Sequence, residues 1–359
     1  MRLQTHLIRR GRAFHFGQHA GLGMEESAAT WPSDSLFAAL VALLARREGA
    51  QAVEAWLQPF RDHTPPFLLT STFPCVCPTE GEAVFLFPVP EASRLAQAEL
   101  PPDLRPKDVK RVRFVSEALY RRLLAGEPLA LHLPNARRIH SGAVAFAPED
   151  WARLPGDLRR EEEDLVLWKV VQRPRVTVGR ADNRSNLFHV GAVHFREAAG
   201  LWFGVQWLDE GSPWREKWNP LLTDLGENGL GAERSAGYGS AEIGAGPALE
   251  LPDLRPDAPW TTLSRYWPRD EAELAALHGE GAAYGLLTVS GWMDGEGQRR
   301  RPLHMLAEGG VFAPMGHDAP RGALADVHPV YRAKPNHNPV GHPVYRYGYA
   351  LAVGYGGEA

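Results

Sequence analysis

The stretch GENGLGAERSAGYG, residues 226–239, places five glycines in fourteen positions around Arg234, Ser235 and Tyr238. Glycine loses more backbone freedom on folding than any other residue, so such a cluster needs a conformational reason. A dinucleotide fingerprint needs G-x-G-x-x-G between a strand and a helix. Here the next glycine after Gly229 and Gly231 is Gly237, too far away, and the flanks run helix then strand. A phosphate loop needs a lysine that this stretch does not contain. The remaining role is close approach. Uncovered N–H groups can form an anion-binding nest. Arg234 can add a guanidinium fork, Ser235 a donor and Tyr238 a stacking surface for a base. A turn with a purely conformational role is the alternative. Glu227 and Glu233 oppose an anion and suit holding arginines in place.

Around this stretch the chain alternates strand and helix patterns. Residues 2–16 read as a strand, followed by a glycine-bearing loop. PSDSLFAALVALLARREG, residues 32–49, is the clearest helix. Leu36, Leu40, Leu43 and Leu44 form its apolar stripe, and Arg46 and Arg47 suit its negative end. Ser33 or Asp34 can cap it, and its N-terminus can alternatively bind phosphate. A second helix follows, then two strands, FLLTSTFPCVCP and AVFLFPVP. Residues 91–165 are less regular and read as an insertion. From 165 onward come extended runs with RADNRS as a hairpin tip. Beyond a proline-rich joint near residue 250, strand, helix, strand, strand recurs in reduced form. This order suits an α+β protein with a split βαβ, ferredoxin-like unit used twice. The expected domains are 1–249, with insertion, hairpin (about 170–196) and glycine loop, and 250–359.

The formal net charge of −4 gives no global argument for nucleic acid, so any basic surface must be local. Cys75 and Cys77, the two cysteines, lie too close for an ordinary structural disulfide and cannot alone complete a four-ligand zinc site. The N-terminal residues lack the apolar core of a signal peptide. No apolar run approaches the ~20 residues that span a bilayer. The expectation is a cytoplasmic protein with no membrane contact.

GLGAERSAGYGSAEI resembles the glycine-rich loop of the RAMP superfamily, the ferredoxin-like (RRM-like) RNA-binding proteins of CRISPR–Cas systems. With WPSDSLFAALVALL, PRVTVGRADNRSNLFHVGAVHF and HPVYRYGYAL, in that family's order, the chain resembles the fourth subunit of the Csm complex, the type III-A effector. The resemblance implies two ferredoxin-like domains with a β-hairpin thumb. It implies a non-catalytic subunit that holds the 5′ repeat-derived handle of crRNA. It also implies contact with the large polymerase-like subunit and the adjacent backbone RAMP subunit, with no cofactor and no metal. Carried onto this sequence, Gly229, Gly231, Arg234, Ser235, Gly237, Tyr238 and Gly239 line the handle. Arg173, Arg175, Arg180 and Arg184 lie on the thumb, with Asn183 and Ser185 at or near its tip. Lys169 to Arg184 contains five basic residues against Asp182 alone, the charge a backbone-tracking surface needs. Phe188 either wedges against a base or packs in the core. Residues 91–165 match no motif.

Histidine is the first place to look for RNA cleavage. His15 and His19 lie near the first strand, and His15 is the candidate either for handle contact or for a metal-independent RAMP endoribonuclease that processes precursor crRNA. His189 and His194 are five apart and face opposite sides of a strand. His328, His337 and His342 are too loosely spaced to imply converging metal ligands.

Overall fold

The leucine stripe behaves as its spacing dictates. In the computed structural model Ser33–Glu48 is a helix that buries Leu36, Phe37, Leu40, Leu43 and Leu44, and Gly49 ends it at φ 83°. The structure describes residues 1–9, 11, 13–20, 24–79, 81–96, 100–101, 104–160, 164–178, 185–293, 298–317, 319–330 and 340–357. A second helix, Ala50–Arg61, buries Trp56, Leu57 and Phe60. Trp214–Asn228 buries Trp214, Trp218, Leu221, Leu222 and Leu225. These apolar faces cover a mixed α+β core built on a ten-stranded sheet.

Four strands at one end of that sheet run Glu242–Ala245, Arg2–Arg9, Ala199–Trp207, Phe73–Val76, each neighbour antiparallel. In chain order they are fourth, first, third and second. The sheet continues through Val84–Pro88, Phe114–Ser116 and Val144–Phe146 to an edge at Arg137–Ile139. The region read as irregular therefore extends the main sheet, through strands of only three residues that alternation cannot reveal.

The expected first strand, 2–16, splits. Arg2–Arg9 stays in the main sheet. Phe14 instead bridges Val193, and His15 bridges Gly231. Gly11 marks the break, where a Cβ would stand 2.2 Å from the Phe14 ring. The expected loop after it contains two short strands, Gly17–Ala20 and Met24–Ser27. The latter pairs in parallel with the second strand of a hairpin, Trp168–Val178 and Ser185–Phe195.

The C-terminal part contains sheets of three, two and two strands and a short helix, Glu271–Ala275, capped by Asp270 as read from the sequence. Its expected last strand is two, Tyr345–Tyr347 and Ala352–Gly354, in different sheets. This part closes over the first helix. The Phe37 ring stacks on Tyr347 with centroids 4.8 Å apart. The Leu69 N–H donates to the Tyr347 hydroxyl at 3.0 Å. Hydrophobic packing is continuous from Leu3 to Val353. No described helix is long and apolar enough to cross a membrane.

Candidate nucleic-acid interface

Segment 13–16 is the axis of the site. The hairpin lies on one side of it, since Phe14 and Val193 exchange main-chain hydrogen bonds of 2.9 and 2.8 Å. The glycine stretch lies on the other. Ala232 N–H donates to the His15 carbonyl and Gly239 N–H to the Ala13 carbonyl, both at 2.9 Å. The glycines permit this contact. Gly231 and Gly239 both sit at φ 84°. A Cβ at Gly231 would stand 2.5 Å from the His15 carbonyl oxygen, and one at Gly239 would stand 2.3 Å from that of Leu230. These distances are far inside van der Waals contact, and the left-handed backbone disfavours side chains independently.

The close approach is thus to the protein's own main chain. Most amides that a nest would need already donate internally: Gly229 to Leu225, Leu230 to Gly239, Ala236 to Glu233, Gly237 to Arg234 and Tyr238 to Glu233. The bare-amide reading is corrected accordingly. What the loop offers to solvent is its tip, where Ser235 and Gly237 are exposed and Arg234 is half-buried.

Arg175 ties the hairpin to this loop. Its guanidinium pairs with the Glu233 carboxylate at 2.5 Å and lies 5.2 Å from the centre of the Tyr238 ring. Tyr238 is only 7% exposed. Its ring faces Arg175, which corrects the reading of it as a surface for base stacking. Glu233 holds an arginine, one of the two roles its charge allowed. Lys169 and Arg173 stand exposed on the same strand. Arg180, Asn183 and Arg184 lie outside the described residues. Ser185 is exposed, while for Phe188 only the strand position is described.

His15 is 3% exposed, and its Nδ1 lies 2.6 Å from the Gly191 carbonyl oxygen. The ring therefore joins the hairpin to the axis from inside. His194, on the hairpin, has its pKa lowered by burial and by the nearby Arg173 charge. No group of three or more His, Cys, Asp or Glu able to hold a metal ion occurs among the described residues.

The first helix start is corrected more fully. Ser33 has no exposed surface. Its hydroxyl accepts from Arg265 N–H at 3.0 Å, and its own N–H donates to Ser71 Oγ at 2.9 Å. Pro32 occupies the cap position and no side chain caps the helix. Asp34 is buried against Arg265, at 3.2 Å, and Arg346. A phosphate has no route to this helix end. The residues join the two halves of the chain.

A signal that sequence reading left unassigned is the basic cluster in the inserted region. Arg111, Arg137 and Arg138 converge on a groove there. Clustering alone gave no hint of the convergence, because 26 positions separate Arg111 from Arg137.

Comparison with known proteins now bears on this geometry. Residues 256–355 match the model of the CRISPR Csm4 C-terminal domain. A curated relative described as CRISPR system Cms protein Csm4, from Methanocaldococcus jannaschii, is 23% identical over 261 residues. The match covers 68% of this chain and 64% of that relative, so the chain spans less than two thirds of the relative's length. The fold is similar to a chain in a crystal structure of the Csm3–Csm4 subcomplex of the type III-A interference complex. There the TM-score is 0.65 at 15% identity, covering 98% of this chain and 99% of the other. It is also similar to a chain of a Csm1–Csm4 cassette in complex with pppApA, with a TM-score of 0.57 at 16% identity over 99% and 98% of the two chains. Family model, curated relative and fold agree, and the resemblance to subunit four of the Csm complex is borne out.

Proposed function

We propose, from the premise that this chain is a Csm4-type subunit of a type III CRISPR complex, that it is a non-catalytic RNA-binding subunit holding the 5′ handle of crRNA. Its partners in this reading are the large polymerase-like subunit and the adjacent backbone RAMP subunit. The solved relatives support that pairing, being complexes of Csm4 with Csm1 and with Csm3. The strand order fourth, first, third, second, with helices Ser33–Glu48 and Trp214–Asn228 between first and second and between third and fourth, supports one ferredoxin-like unit. The C-terminal part from about residue 250, with its sheets of three, two and two strands, is the second domain.

One observation carries the reading: a cationic hairpin is locked on its outer half to the glycine loop through Arg175, Glu233 and Tyr238. This arrangement sets Lys169 and Arg173 on one exposed surface, with the glycine loop held beside it at Arg175. Arginine forks match phosphate geometry, and contacts of this kind track a backbone regardless of base sequence. A handle of fixed sequence adds base-edge contacts from the same surface.

The endoribonuclease reading needs a general base that reaches a scissile phosphate. His15, its candidate, is enclosed and already bonded to the Gly191 carbonyl. This disfavours cleavage. Ultraviolet crosslinking of the assembled complex, followed by peptide mapping, tests the proposal. Crosslinks within 169–178 and 234–237 are expected. A discrete cut in repeat RNA by the purified chain, abolished by His15→Ala, would replace binding with catalysis.

A further inference from the structure

The inserted region contains a cavity of about 380 Å³ bounded by Arg111, Arg137, Arg138, Asp108, Ser141 and Gly142. Arg111 comes from a short helix, Pro106–Arg111, and Arg137 and Arg138 from the edge strand of the main sheet. Charged side chains commonly blunt a sheet edge. Edge protection does not explain why Arg111 reaches in from a separate element, its Nη1 donating to the Ser141 carbonyl at 3.1 Å. Among the described residues that line the groove, three guanidinium groups accompany one carboxylate, Asp108, which Arg105 already holds at 3.0 Å. Lys107, Lys110 and Arg113 are exposed nearby in sequence. In a protein of net charge −4 this is a local concentration of positive charge.

The wall of the groove is a strained turn. His140, Ser141 and Gly142 have successive φ values of 54°, 53° and 89°. Two non-glycine residues occupy the left-handed region, and such strain concentrates at functional sites. Asp164 holds the turn by accepting from Ser141 Oγ at 2.8 Å and from its N–H. The same turn touches the hairpin. The His140 ring stacks on Trp168 with centroids 3.8 Å apart, and its Nε2 accepts from Leu167 N–H at 2.6 Å. Trp168 opens the hairpin's first strand, followed by exposed Lys169. Burial draws the His140 pKa down to about 4, so the ring is neutral near pH 7 and remains an acceptor there. The turn thus joins the hairpin root to the groove through the His140–Trp168 stack.

We infer that Arg111, Arg137 and Arg138 form a second phosphate-binding groove, which takes the RNA backbone beyond the hairpin root. The inference rests on the proposed RNA-binding function and extends the contact surface into the insertion. Protein-docking sites centre on buried aromatic or aliphatic anchors. The lining here contains no apolar side chain larger than Ala136. Its chemistry suits a phosphodiester better than an acidic protein segment.

The test measures affinity of fluorescein-labelled crRNA for the purified chain and for the assembled complex over a salt series. Arg137→Ala with Arg138→Ala should weaken binding about tenfold at moderate salt. It should also make the slope of log K against log salt shallower by ~1.4, at ~0.7 per phosphate contact on a single strand. Arg137 also lies over the Trp151 ring at 5.4 Å. If the double variant unfolds by circular dichroism, Arg138→Ala with Lys110→Ala leaves that contact in place and decides the matter. Unchanged affinity and slope, while Lys169→Glu with Arg173→Glu loses RNA, would overturn the groove and leave the RNA-binding subunit intact. If neither pair matters, the function itself fails, and the groove with it. Retained RNA affinity with loss of the large subunit from the complex would assign the groove to an acidic protein partner instead.

Discussion

Two arginine–carboxylate contacts in this molecule have the same chemistry and opposite surroundings. At the seam between the halves, Asp34 has a fully buried side chain and meets Arg265 and Arg346, the latter 8% exposed. At the contact that roots the glycine loop on the hairpin, Glu233 and Arg175 keep 30% and 28% of their side-chain surfaces. Burial pushes the Asp34 pKa up, but the charges of Arg265 and Arg346 outweigh it and hold the carboxyl below its ordinary value. A buried pair that loses one member leaves an uncompensated charge, whereas a half-exposed pair leaves one that water solvates. The seam contact therefore serves the fold. In the proposed function, the root contact aims a surface at a ligand, with little consequence for the fold.

The largest expected effect separates the two sites most directly. Asp34→Asn should destabilise the protein by about 3–5 kcal/mol, because Arg346 stays buried without its counter-charge. Urea unfolding measures this, and a loss below about 1 kcal/mol would erase the distinction between seam and root. Acid acts in the same direction. Because the folded carboxyl titrates below its unfolded value, the seam contribution is complete above the ordinary carboxylate range. It is lost as pH falls through the depressed folded value.

A smaller effect is expected at the root's backbone. Gly239→Ala places a Cβ 2.3 Å from the Leu230 carbonyl oxygen at φ 84°. The left-handed backbone costs about 1–2 kcal/mol, and relief of the clash adds on the order of 1 kcal/mol. Unfolding together with RNA affinity checks it. The comparison predicts that RNA binding falls further than stability, since the loop moves off segment 13–16 before the core opens. Equal losses would make the glycines ordinary fold determinants.

The sequence made these two regions look alike. WPSDS and GAERSAGYG both present small, hydroxyl and charged residues beside helix ends, and each admits phosphate binding beside a purely structural role. Local pattern carried the helices well, because Leu36, Leu40, Leu43 and Leu44 report a buried face through spacing alone. It also carried the hairpin, whose two eleven-residue strands are long enough to show β composition. Burial by distant segments was invisible. Nothing near Ser33 announces that Arg265, 232 positions away, will donate to its hydroxyl. Nothing near Gly231 announces that His15 will lie against it. The glycines signalled close approach, but their spacing could not distinguish a ligand backbone from the chain's own. The strands of the inserted region are three residues each, below the length at which alternation is legible.

The smallest stability effect carries the sharpest functional contrast. Arg175→Ala removes a partly screened ion pair and one ring contact, so it should cost no more than about 1 kcal/mol in unfolding experiments. Its effect on crRNA retention should be several-fold, because the hairpin and the loop tip would then move independently and lose the shared surface that both must present. Arg175→Lys separates charge from geometry. Lysine keeps the positive charge but cannot reproduce the planar fork that engages Glu233 while lying over Tyr238. If Arg175 contacts phosphate directly, lysine should largely restore retention. If it positions the two elements, lysine should behave like alanine, with the salt slope of the residual binding unchanged, because the phosphate contacts belong to other side chains.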